Sequence, residues 1–196
     1  MFISLEGIDG SGKSTQAKLL AEALGPDTLL IREPGGTSAA ERIRELLADP
    51  ALEIDPFAEL LLFSAARADL VSRVIRPALE AGTHVVADRF ADSSVAYQGG
   101  ARELGTSHVL SLTDTVIDGL WPDVTVLLQV EPEVGLGRAD GEDRLESEGL
   151  DLQRAVAEAY EEIAQIASDR VVVVDGDGSV EEIHARVMEA IQSHSR

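Results

Sequence analysis

An eight-residue segment near the N-terminus, residues 7–14, constrains the fold of this chain more than any other feature. Its sequence, GIDGSGKS, matches the pattern G-x-x-x-x-G-K-[ST] at every fixed position. An apolar, β-prone run at residues 2–5 precedes the segment, and a helical pattern follows it as far as Gly25. Strand, glycine-rich loop and helix in this order predict a phosphate-binding loop, because successive backbone N–H groups converge on oxyanions at the positive end of the helix dipole.

Each part of this loop has an expected role in binding a nucleoside triphosphate and its metal ion. The three glycines allow positive φ and a close approach of the backbone to the ligand. Lys13 is expected to reach the β and γ phosphates, and the Ser14 hydroxyl to occupy one coordination site of Mg²⁺. The alternative is an ordinary glycine turn with an exposed lysine. It does not explain why a strand pattern precedes the segment and a helical pattern follows it, as a phosphate-binding loop requires. The predicted ATP-binding residues are Gly7, Ile8, Asp9, Gly10, Ser11, Gly12, Lys13 and Ser14.

Charge and composition narrow the class of protein. The chain has 16 basic and 36 acidic side chains and a formal net charge of −20, so we expect neither nucleic acid nor an anionic membrane as a partner. It has no cysteine, which excludes disulfides and cysteine nucleophiles, and its histidines lack the spacing of a zinc site. No apolar run is long enough to span a membrane, and strand residues begin without a charged leader, so we expect a cytoplasmic protein.

Five apolar, β-prone segments alternate with helical patterns along the chain. They lie at residues 2–5, 28–31, 84–87, 124–130 and 171–174. This alternation predicts an α/β fold with a five-stranded parallel sheet, right-handed crossovers and helices on both faces. No linker or internal repeat interrupts the pattern, so residues 1–196 are expected to form a single domain.

Candidate ligand-binding residues follow the predicted strands, at the edge where open α/β sheets bind ligands. Residues 32–36 (REPGG) form a turn-rich stretch after the second strand. Asp88 and Arg89 follow the third strand; they can serve Mg²⁺ and a phosphate, or form a structural ion pair. Residues 93–100 (SSVAYQGG) are polar and aromatic and end in a flexible glycine pair, which suits base or sugar recognition but also an ordinary turn.

Two further segments leave a functional and a structural interpretation open. Residues 56–81 form the longest helical pattern, with a kink expected at Pro77, and Phe63 and Arg67 share one face of it. These two side chains present a flat ring and a planar cation to a ligand, or they are ordinary core and solvated surface. Residues 135–149 are charged and glycine-rich, so they form either a mobile lid over the phosphate site or a solvated loop.

Several motifs in a consistent order extend the prediction beyond the loop. They are REPGGT at residues 32–37, the 63–67 stretch, DRF at 88–90, SSVAYQGG at 93–100, WPD at 121–123, PEVGL at 132–136 and DRLE at 143–146. In these motifs the chain resembles the thymidylate kinases of the bacterial kind, over nearly its whole length. The resemblance implies a P-loop nucleoside monophosphate kinase that uses ATP and Mg²⁺ to convert dTMP to dTDP, a step in dTTP synthesis.

The resemblance also implies roles for individual residues. Phe63 would stack on thymine, Arg67 would bond a base carbonyl, and Ser94 would help to read the base. Tyr97 would crowd the 2′ position of the sugar, and Asp9 would approach the 3′-hydroxyl and the metal. The implied dTMP-binding residues are Asp9, Glu33, Pro34, Phe63, Arg67, Arg89, Ser94, Tyr97 and Gln98; the implied metal ligands are Ser14, Asp9 and Asp88; the implied catalytic residues are Lys13, Asp88, Arg89, Arg138 and Arg144.

The resemblance also implies roles for the lid, the loop at residues 175–178 and the long helix. In some relatives an arginine of the phosphate loop stabilises the transferred group, but Gly10 stands at the corresponding place here. The lid is therefore expected to supply this charge, from Arg138 or Arg144. The loop at residues 175–178 is expected to flank adenine. Members of the family commonly pair through the helix at residues 56–81, which implies a homodimer.

Three other functions agree with parts of the sequence. The first is a kinase acting on dCMP or on a deoxynucleoside, although the neighbourhood of Arg67 and Tyr97 favours dTMP. The second is a nucleotide-dependent switch, but the chain has no Asn-Lys-x-Asp signature for guanine. The third, a purely structural α/β domain, requires that the loop does not bind ATP.

Overall fold

A parallel five-stranded sheet forms the centre of the molecule. The computed structural model describes residues 1–138 and 149–194. The strands are β1 (Phe2–Glu6), β2 (Leu29–Arg32), β3 (Val85–Asp88), β4 (Val124–Gln129) and β5 (Val171–Asp175), in the spatial order β2-β3-β1-β4-β5. The predicted fold class is confirmed, and every predicted strand lies within one residue of the observed one at each end.

Helices connect the strands and cover both faces of the sheet. They are α1 (Lys13–Leu24), α2 (Ser38–Ala48), α3 (Pro56–Leu70), α4 (Arg76–Glu80), α5 (Ala91–Ser94), α6 (Thr106–Ile117), α7 (Pro132–Arg138), α8 (Leu150–Ile166) and α9 (Val180–His194). Two π-helical stretches, Val71–Ile75 and Val95–Ala101, lie between α3 and α4 and directly after α5. Within the described ranges, no helix combines the length and the apolar character that crossing a bilayer would need.

Alternation along β1 divides the core between the two faces. Ile3 and Leu5 point to one face and pack in a cluster with residues of α1 and α9. Phe2 points to the other face, where it packs with the end of α3 and the first π-helical stretch, and its ring meets Phe90 edge to face at 4.9 Å. Burial on both faces explains why the strands are nearly continuous apolar runs.

The carboxyl ends of β1, β2 and β3 bring three loops together. Leu5 of β1 pairs with Asp88 of β3, and Asp88 pairs with Arg32 of β2. The backbone N–H of Glu33 continues this ladder by donating to the Asp88 carbonyl oxygen at 3.0 Å. The phosphate loop, residues 7–14, therefore starts beside the segments that follow β2 and β3, although these are far apart in the sequence.

A buried polar network anchors α5 to the sheet. Asp92 accepts two hydrogen bonds from Arg170, at 2.7 and 2.8 Å, and a third from the Thr125 hydroxyl at 3.1 Å. The Thr125 hydroxyl also contacts the Ser4 hydroxyl at 2.9 Å. These bonds satisfy polar groups that would otherwise destabilise the core, and they hold the helix that follows Arg89 in one position.

Residues 93–100 differ from the predicted loop, because they are helical. Helix α5 continues without a break into the second π-helical stretch, so Gly99 and Gly100 do not form a flexible pair. A side chain at Gly99 would place its Cβ 3.2 Å from the Thr106 Cα, and one at Gly100 would collide with Ala159 of α8. These two glycines therefore serve close helix packing.

The helix predicted at residues 56–81 is confirmed as helical backbone that runs without a break from Pro56 to Glu80 and includes a π-helical stretch. Helix α3 ends at Leu70, and the first π-helical stretch separates it from α4. Pro77 follows the π-helical stretch inside this helix, where a proline removes one backbone hydrogen bond. The wide turn before it accounts for the irregularity that was predicted at Pro77.

Candidate active site

The phosphate loop has the backbone geometry that its glycines predict. Gly10 and Gly12 have φ angles of 71° and 92°, in the left-handed region. A Cβ at Gly10 would also collide with the carbonyl oxygen of Gly135 in α7. The loop thus packs directly against this short helix, and a side chain does not fit at the place where some relatives carry an arginine.

Lys13 is buried in this structure and folds back onto the loop. Its Nζ donates hydrogen bonds to the Ile8 carbonyl oxygen at 2.6 Å and to the Ser11 hydroxyl at 3.3 Å. Burial, together with the positive charge of Arg89, lowers the pKa of Lys13 to about 7. Phosphate groups bound at the loop would supply the opposite charge, favour the ammonium form and raise this pKa.

Arg89 links the phosphate loop to the segment after β3. Its Nη2 donates to the Asp9 carboxylate and to the Tyr97 hydroxyl at 3.1 Å, and its Nη1 donates to the Gly7 carbonyl oxygen at 3.0 Å. Arg89 thus forms its ion pair with Asp9, not with the adjacent Asp88. Arg89 has a φ angle of 67°, unusual for a residue with a side chain, and such conformations cluster at functional sites.

Asp9 has hydrogen-bond partners on both carboxylate oxygens. Oδ1 accepts from Arg89, and Oδ2 accepts from the Gln153 side-chain amide at 2.7 Å, whose oxygen in turn accepts from the Asp9 backbone N–H at 3.1 Å. Burial alone would raise the pKa of Asp9, but the charges of Arg89 and Lys13 lower it below its ordinary value. Gln153 lies on α8, 144 residues away, and no local pattern in the sequence indicated it.

Glu6 supports the turn that carries Arg89. It is fully buried at the end of β1 and accepts hydrogen bonds from the Phe90 backbone N–H at 2.7 Å, the Ser93 hydroxyl at 2.6 Å and the Tyr160 hydroxyl at 2.7 Å. Burial raises the pKa of Glu6 to about 7, and the nearby charge of Asp92 adds to the shift. An acidic residue at the end of an otherwise apolar strand was the one signal that could have identified it.

The nine residues expected to bind dTMP all line one cavity of about 110 Å³, here called the base pocket. Asp9 and Arg89 are at the end shared with the phosphate loop. Phe63 is half-buried and faces the cavity, so it is not an ordinary core residue. The full lining is Asp9, Glu33, Pro34, Arg44, Phe63, Arg67, Arg89, Ser93, Ser94, Tyr97 and Gln98.

Arg67 is buried rather than solvated, with 1% of its surface exposed. Its Nε donates to the Glu33 carboxylate at 2.8 Å, Nη1 to the Ser94 hydroxyl at 2.9 Å and Nη2 to the Phe90 carbonyl oxygen at 3.1 Å. Nη2 also lies 2.7 Å from the same Glu33 oxygen. The bond to Ser94 uses one of the two Nη1 hydrogens, which leaves the other for a ligand in the pocket.

Glu33 balances this charge at the wall of the base pocket. Burial raises the pKa of Glu33, and the positive charge of Arg67 opposes the shift. Its second oxygen, Oε1, is buried and has no hydrogen-bond partner in the described part of the protein. Because a buried unpaired acceptor is costly, this oxygen is a candidate contact for a ligand or a bound water.

The end of α5 and the second π-helical stretch place three predicted residues along the same pocket. Tyr97 and Gln98 lie three and four positions after Ser94, on the same side of the helix, and all three side chains line the cavity. The Tyr97 ring lies 5.1 Å from the Arg89 guanidinium carbon. Burial strongly raises the pKa of Tyr97, so its hydroxyl stays protonated and can donate as well as accept.

Arg44 is a pocket residue that the sequence did not reveal. It lies on α2, lines the base pocket, and donates from Nη1 to the Pro34 carbonyl oxygen at 3.3 Å. Its position seven residues after Thr37, the N-cap of α2, could have indicated that it lies near the REPGGT segment.

The residues expected to hold Mg²⁺ fit that ion in type. Mg²⁺ is usually held by one or two protein oxygen ligands together with substrate phosphates and water. Ser14 is exposed at the first turn of α1, and Asp88 ends the neighbouring strand half-buried. In the described ranges, no three His, Asp or Glu side chains cluster as a preformed metal site. A site shared with bound phosphates agrees with both observations.

The lid and the adenine loop are described only in part. Arg138 ends α7, is 43% exposed and lies 3.7 Å from Asp177 of the loop after β5. In that loop the carbonyl oxygens of Asp175 and Asp177 both accept from Arg186, at 2.7 Å each. Arg144 and most of the predicted lid at residues 135–149 lie outside the described residues.

Comparisons with known proteins agree over the whole fold. A family model described as thymidylate kinase matches residues 5–187. The thymidylate kinase of Thermosipho africanus is 43% identical over 199 residues, 99% of this chain and 98% of that protein. That of Deinococcus radiodurans is 44% identical over 197 residues, 97% of this chain and 96% of that protein.

A solved structure shows the same agreement in three dimensions. The crystal structure of thymidylate kinase from Ehrlichia chaffeensis matches with a TM-score of 0.82 and 34% sequence identity, over 98% of both chains. These similarities cover the base pocket as well as the phosphate loop, so they do not depend on a single motif. The chain therefore belongs to the thymidylate kinase family, the kinases that phosphorylate dTMP to dTDP.

Proposed function

We propose that this chain phosphorylates dTMP with ATP at the junction of the phosphate loop and the base pocket. The observation that carries the proposal is the position of Arg89, which lines the pocket and bonds to Gly7 and Asp9 of the loop. A monophosphate in the pocket would thus meet the terminal phosphate of ATP beside one guanidinium. Asp9 belongs to both regions and is in place to bond the sugar 3′-hydroxyl.

The base pocket suits a pyrimidine deoxynucleotide. Phe63 offers a ring face for stacking, and the remaining Nη1 hydrogen of Arg67 can bond a base carbonyl. Tyr97 lines the same cavity between Arg89 and the base end, where its ring would crowd a 2′-hydroxyl. Ser94 shares its hydroxyl with Arg67 and completes this wall.

The reaction needs alignment and charge neutralisation more than a strong base. The acceptor oxygen is already part of an anionic phosphate, so little proton transfer is required. Arg89 would hold the acceptor phosphate, and Lys13 would exchange its contacts with Ile8 and Ser11 for the oxygens of ATP. Ser14 and Asp88 would hold Mg²⁺, which neutralises charge on the β and γ phosphates when bound.

A lid arginine would complete the charge compensation. The contact of Gly10 with Gly135 leaves no room for an arginine in the loop itself. We therefore propose that Arg138 or Arg144 approaches the transferred phosphoryl group, with Arg138 leaving its weak, exposed pair with Asp177. Removing the catalytic arginine should lower kcat about 100-fold or more.

Turnover of Arg138→Ala and Arg144→Ala tests this assignment. Arg73→Ala serves as a control, because Arg73 is an exposed arginine outside the site. At least one lid variant should lose turnover with little change in the KM for dTMP. Wild-type rates in both variants would contradict the lid hypothesis.

We also propose that two copies of the chain associate through α3. Phe57 and Leu61 lie one turn apart on this helix and are 44% and 46% exposed, and Phe57 stacks on His108 of α6 at 6.4 Å. An apolar strip of this kind is typical of a subunit interface. Sedimentation velocity should show a dimer; only monomer at working concentrations would contradict it.

A substrate panel tests the function as a whole. Purified protein with Mg²⁺ and ATP should release ADP with dTMP faster than with dUMP or dCMP, with Lys13→Ala as an inactive control. Since these nucleotides are made and used in the cytoplasm, we place the reaction there. Failure to consume ATP with every monophosphate would overturn the proposal.

A further inference from the structure

Glu59 is a buried carboxylate beside the base pocket with no role in the site described above. It lies in the first turn of α3 and is 1% exposed. Its Oε1 accepts a hydrogen bond from the side-chain amide nitrogen Nε2 of Gln98 at 2.8 Å. Gln98 lines the base pocket, whereas Glu59 is not among the lining residues. Glu59 therefore stands directly behind a side chain that faces the ligand.

Gln98 and Arg102 both donate hydrogen bonds to Glu59, so its carboxylate acts as a hydrogen-bond acceptor. Arg102 contacts the same carboxylate at 3.3 Å from Nε and 3.4 Å from Nη2. This cation compensates the negative charge in a region where an isolated carboxylate would be costly. An ionised carboxylate can only accept hydrogen bonds, so it binds the nitrogen of a neighbouring amide and repels the oxygen.

The orientation of the Gln98 amide follows from this contact. One Nε2 hydrogen is directed to Glu59, and a flip of the amide would bring the carbonyl oxygen against the carboxylate. The atoms left for the pocket are the Oε1 acceptor and the second Nε2 hydrogen. None of the hydrogen bonds formed by the described residues uses this Oε1.

This pattern distinguishes the pyrimidine bases. Thymine and uracil carry an N3–H donor next to a carbonyl oxygen, which matches an acceptor beside a donor. Cytosine has an unprotonated N3 acceptor next to an amino group, so both contacts would be mismatched. A site that leaves buried polar groups unpaired against the wrong base discriminates strongly.

We propose that Glu59 is a positioning residue that sets base specificity by holding the Gln98 amide with its oxygen toward N3. It does so without touching the substrate. This inference rests on the proposed binding of dTMP in the base pocket. In this proposal, Glu59 lies behind the pocket wall and controls whether the pocket prefers a base with an N3–H group or cytosine.

The test is the ratio of dissociation constants for dCMP and dTMP, measured by calorimetry without ATP in wild type, Glu59→Gln and Glu59→Asp. Glutamine has nearly the same shape but can donate, so it allows the Gln98 amide to flip. Aspartate keeps an acceptor-only group. Glu80→Gln, an exposed position on α4, controls for the loss of one negative charge.

In Glu59→Gln we expect the preference for dTMP over dCMP to fall roughly 10-fold or more, since the acceptor facing N3 is no longer enforced. The ratio of dUMP to dTMP should stay unchanged, because both bases carry the same N3–H. Glu59→Asp should keep the wild-type preference even where its melting temperature is lower. The two dissociation constants are measured on the same preparation, so their ratio does not depend on the fraction of folded protein.

An unchanged dCMP to dTMP ratio in Glu59→Gln would overturn the inference. An equal change in Glu59→Asp would also overturn it, because a purely structural role predicts that both variants lose affinity alike. These results are distinct from failure of the proposed function, which would appear as a wild-type enzyme that does not phosphorylate dTMP.

Discussion

The two ends of the base pocket handle charge in opposite ways. At the end shared with the phosphate loop, Arg89 is paired with Asp9. Burial and the charge of Arg89 lower the pKa of Lys13 to about 7, against the opposing charges of Asp9, Asp88 and Glu6. At the base end, Arg67 is paired with Glu33, and Arg102 is paired with Glu59. Among the described residues, Lys13 at the first end hydrogen-bonds only neutral groups, whereas Arg67 and Arg102 at the second end each bond a carboxylate.

This difference matches the groups that each end is proposed to recognise. Phosphates bring negative charge, so Lys13 gains an ion-pair partner when the substrates bind, which favours binding and phosphoryl transfer. A pyrimidine base is neutral, so a charge facing it is paired within the protein and used only for hydrogen bonds. The chain has a net charge of −20, which repels anionic nucleotides, so their attraction depends on the local cations at the phosphate end.

The largest expected effect comes from removing a cation at the phosphate end. Lys13→Met should lower turnover about 1,000-fold, because the lysine charge on the transferred phosphoryl group is lost. The same variant should melt at a higher temperature than wild type at pH 7, since the buried ammonium is no longer enclosed. Steady-state kinetics and calorimetry measure both effects.

The pH dependence of this stability difference has a definite sign. The pKa of Lys13 falls from 10.5 to about 7 on folding, so its destabilising effect is complete below pH 7 and disappears toward pH 10.5. The gap in melting temperature between Lys13→Met and wild type should therefore shrink as pH rises. Lys18→Met, at an exposed position of the same helix, should show no such trend. A variant less stable than wild type at every pH would show that the bonds to Ile8 and Ser11 outweigh burial.

An intermediate effect is expected from breaking a pair at the base end. Arg67→Met leaves the Glu33 carboxylate buried without its cation, which should cost about 3–5 kcal/mol of unfolding free energy. The KM for dTMP should rise as well, because the base carbonyl loses its donor. Urea denaturation and kinetics measure these two changes.

The matched double variant separates charge from packing. Adding Glu33→Gln to Arg67→Met removes the unpaired carboxylate, so most of the lost stability should return while the KM for dTMP stays high. Arg42→Met, an exposed arginine on α2, controls for the loss of positive charge. Full recovery of the KM in the double variant would contradict a role of Arg67 in base binding.

The smallest expected effect concerns Glu6, beneath the turn of Arg89. Its pKa rises from 4.5 to about 7 on folding, so the protonated form is favoured and its contribution to stability is lost as pH rises through this range. Glu6→Gln cannot titrate and should show a flatter dependence of melting temperature on pH between 4.5 and 7. Glu22→Gln, an exposed change on α1, should keep the wild-type slope. Identical slopes in Glu6→Gln and wild type would contradict this assignment.

Local features of this protein were predictable from the sequence, and contacts between distant residues were not. The phosphate loop and the strands follow from short patterns of glycine and apolar residues. The partnership of Arg67 with Glu33 joins residues 34 positions apart, and that of Asp9 with Gln153 spans 144, so no periodicity reveals them. The nine residues expected to bind dTMP were named through family resemblance, and the structure brings them to one cavity.

Residues 93–100 show why a local prediction failed. Paired glycines usually favour a turn, but here a Cβ at Gly100 would overlap Ala159, and one at Gly99 would lie only 3.2 Å from the Thr106 Cα. Tertiary packing therefore outweighed helix propensity. The two π-helical stretches have no signature in a single sequence, because they depend on packing against neighbouring helices.

In the proposed binding mode, the wide turn at Val95–Ala101 makes the number of residues in this helix important for substrate recognition. A regular α-helix turns by about 100° per residue, so deleting one residue there would rotate the following side chains by that angle relative to those before it. Tyr97 and Gln98 could then no longer face the same cavity as Ser94. Kinases of this fold that differ in length at this point should accordingly use different amino acids, at different positions, to contact the nucleobase.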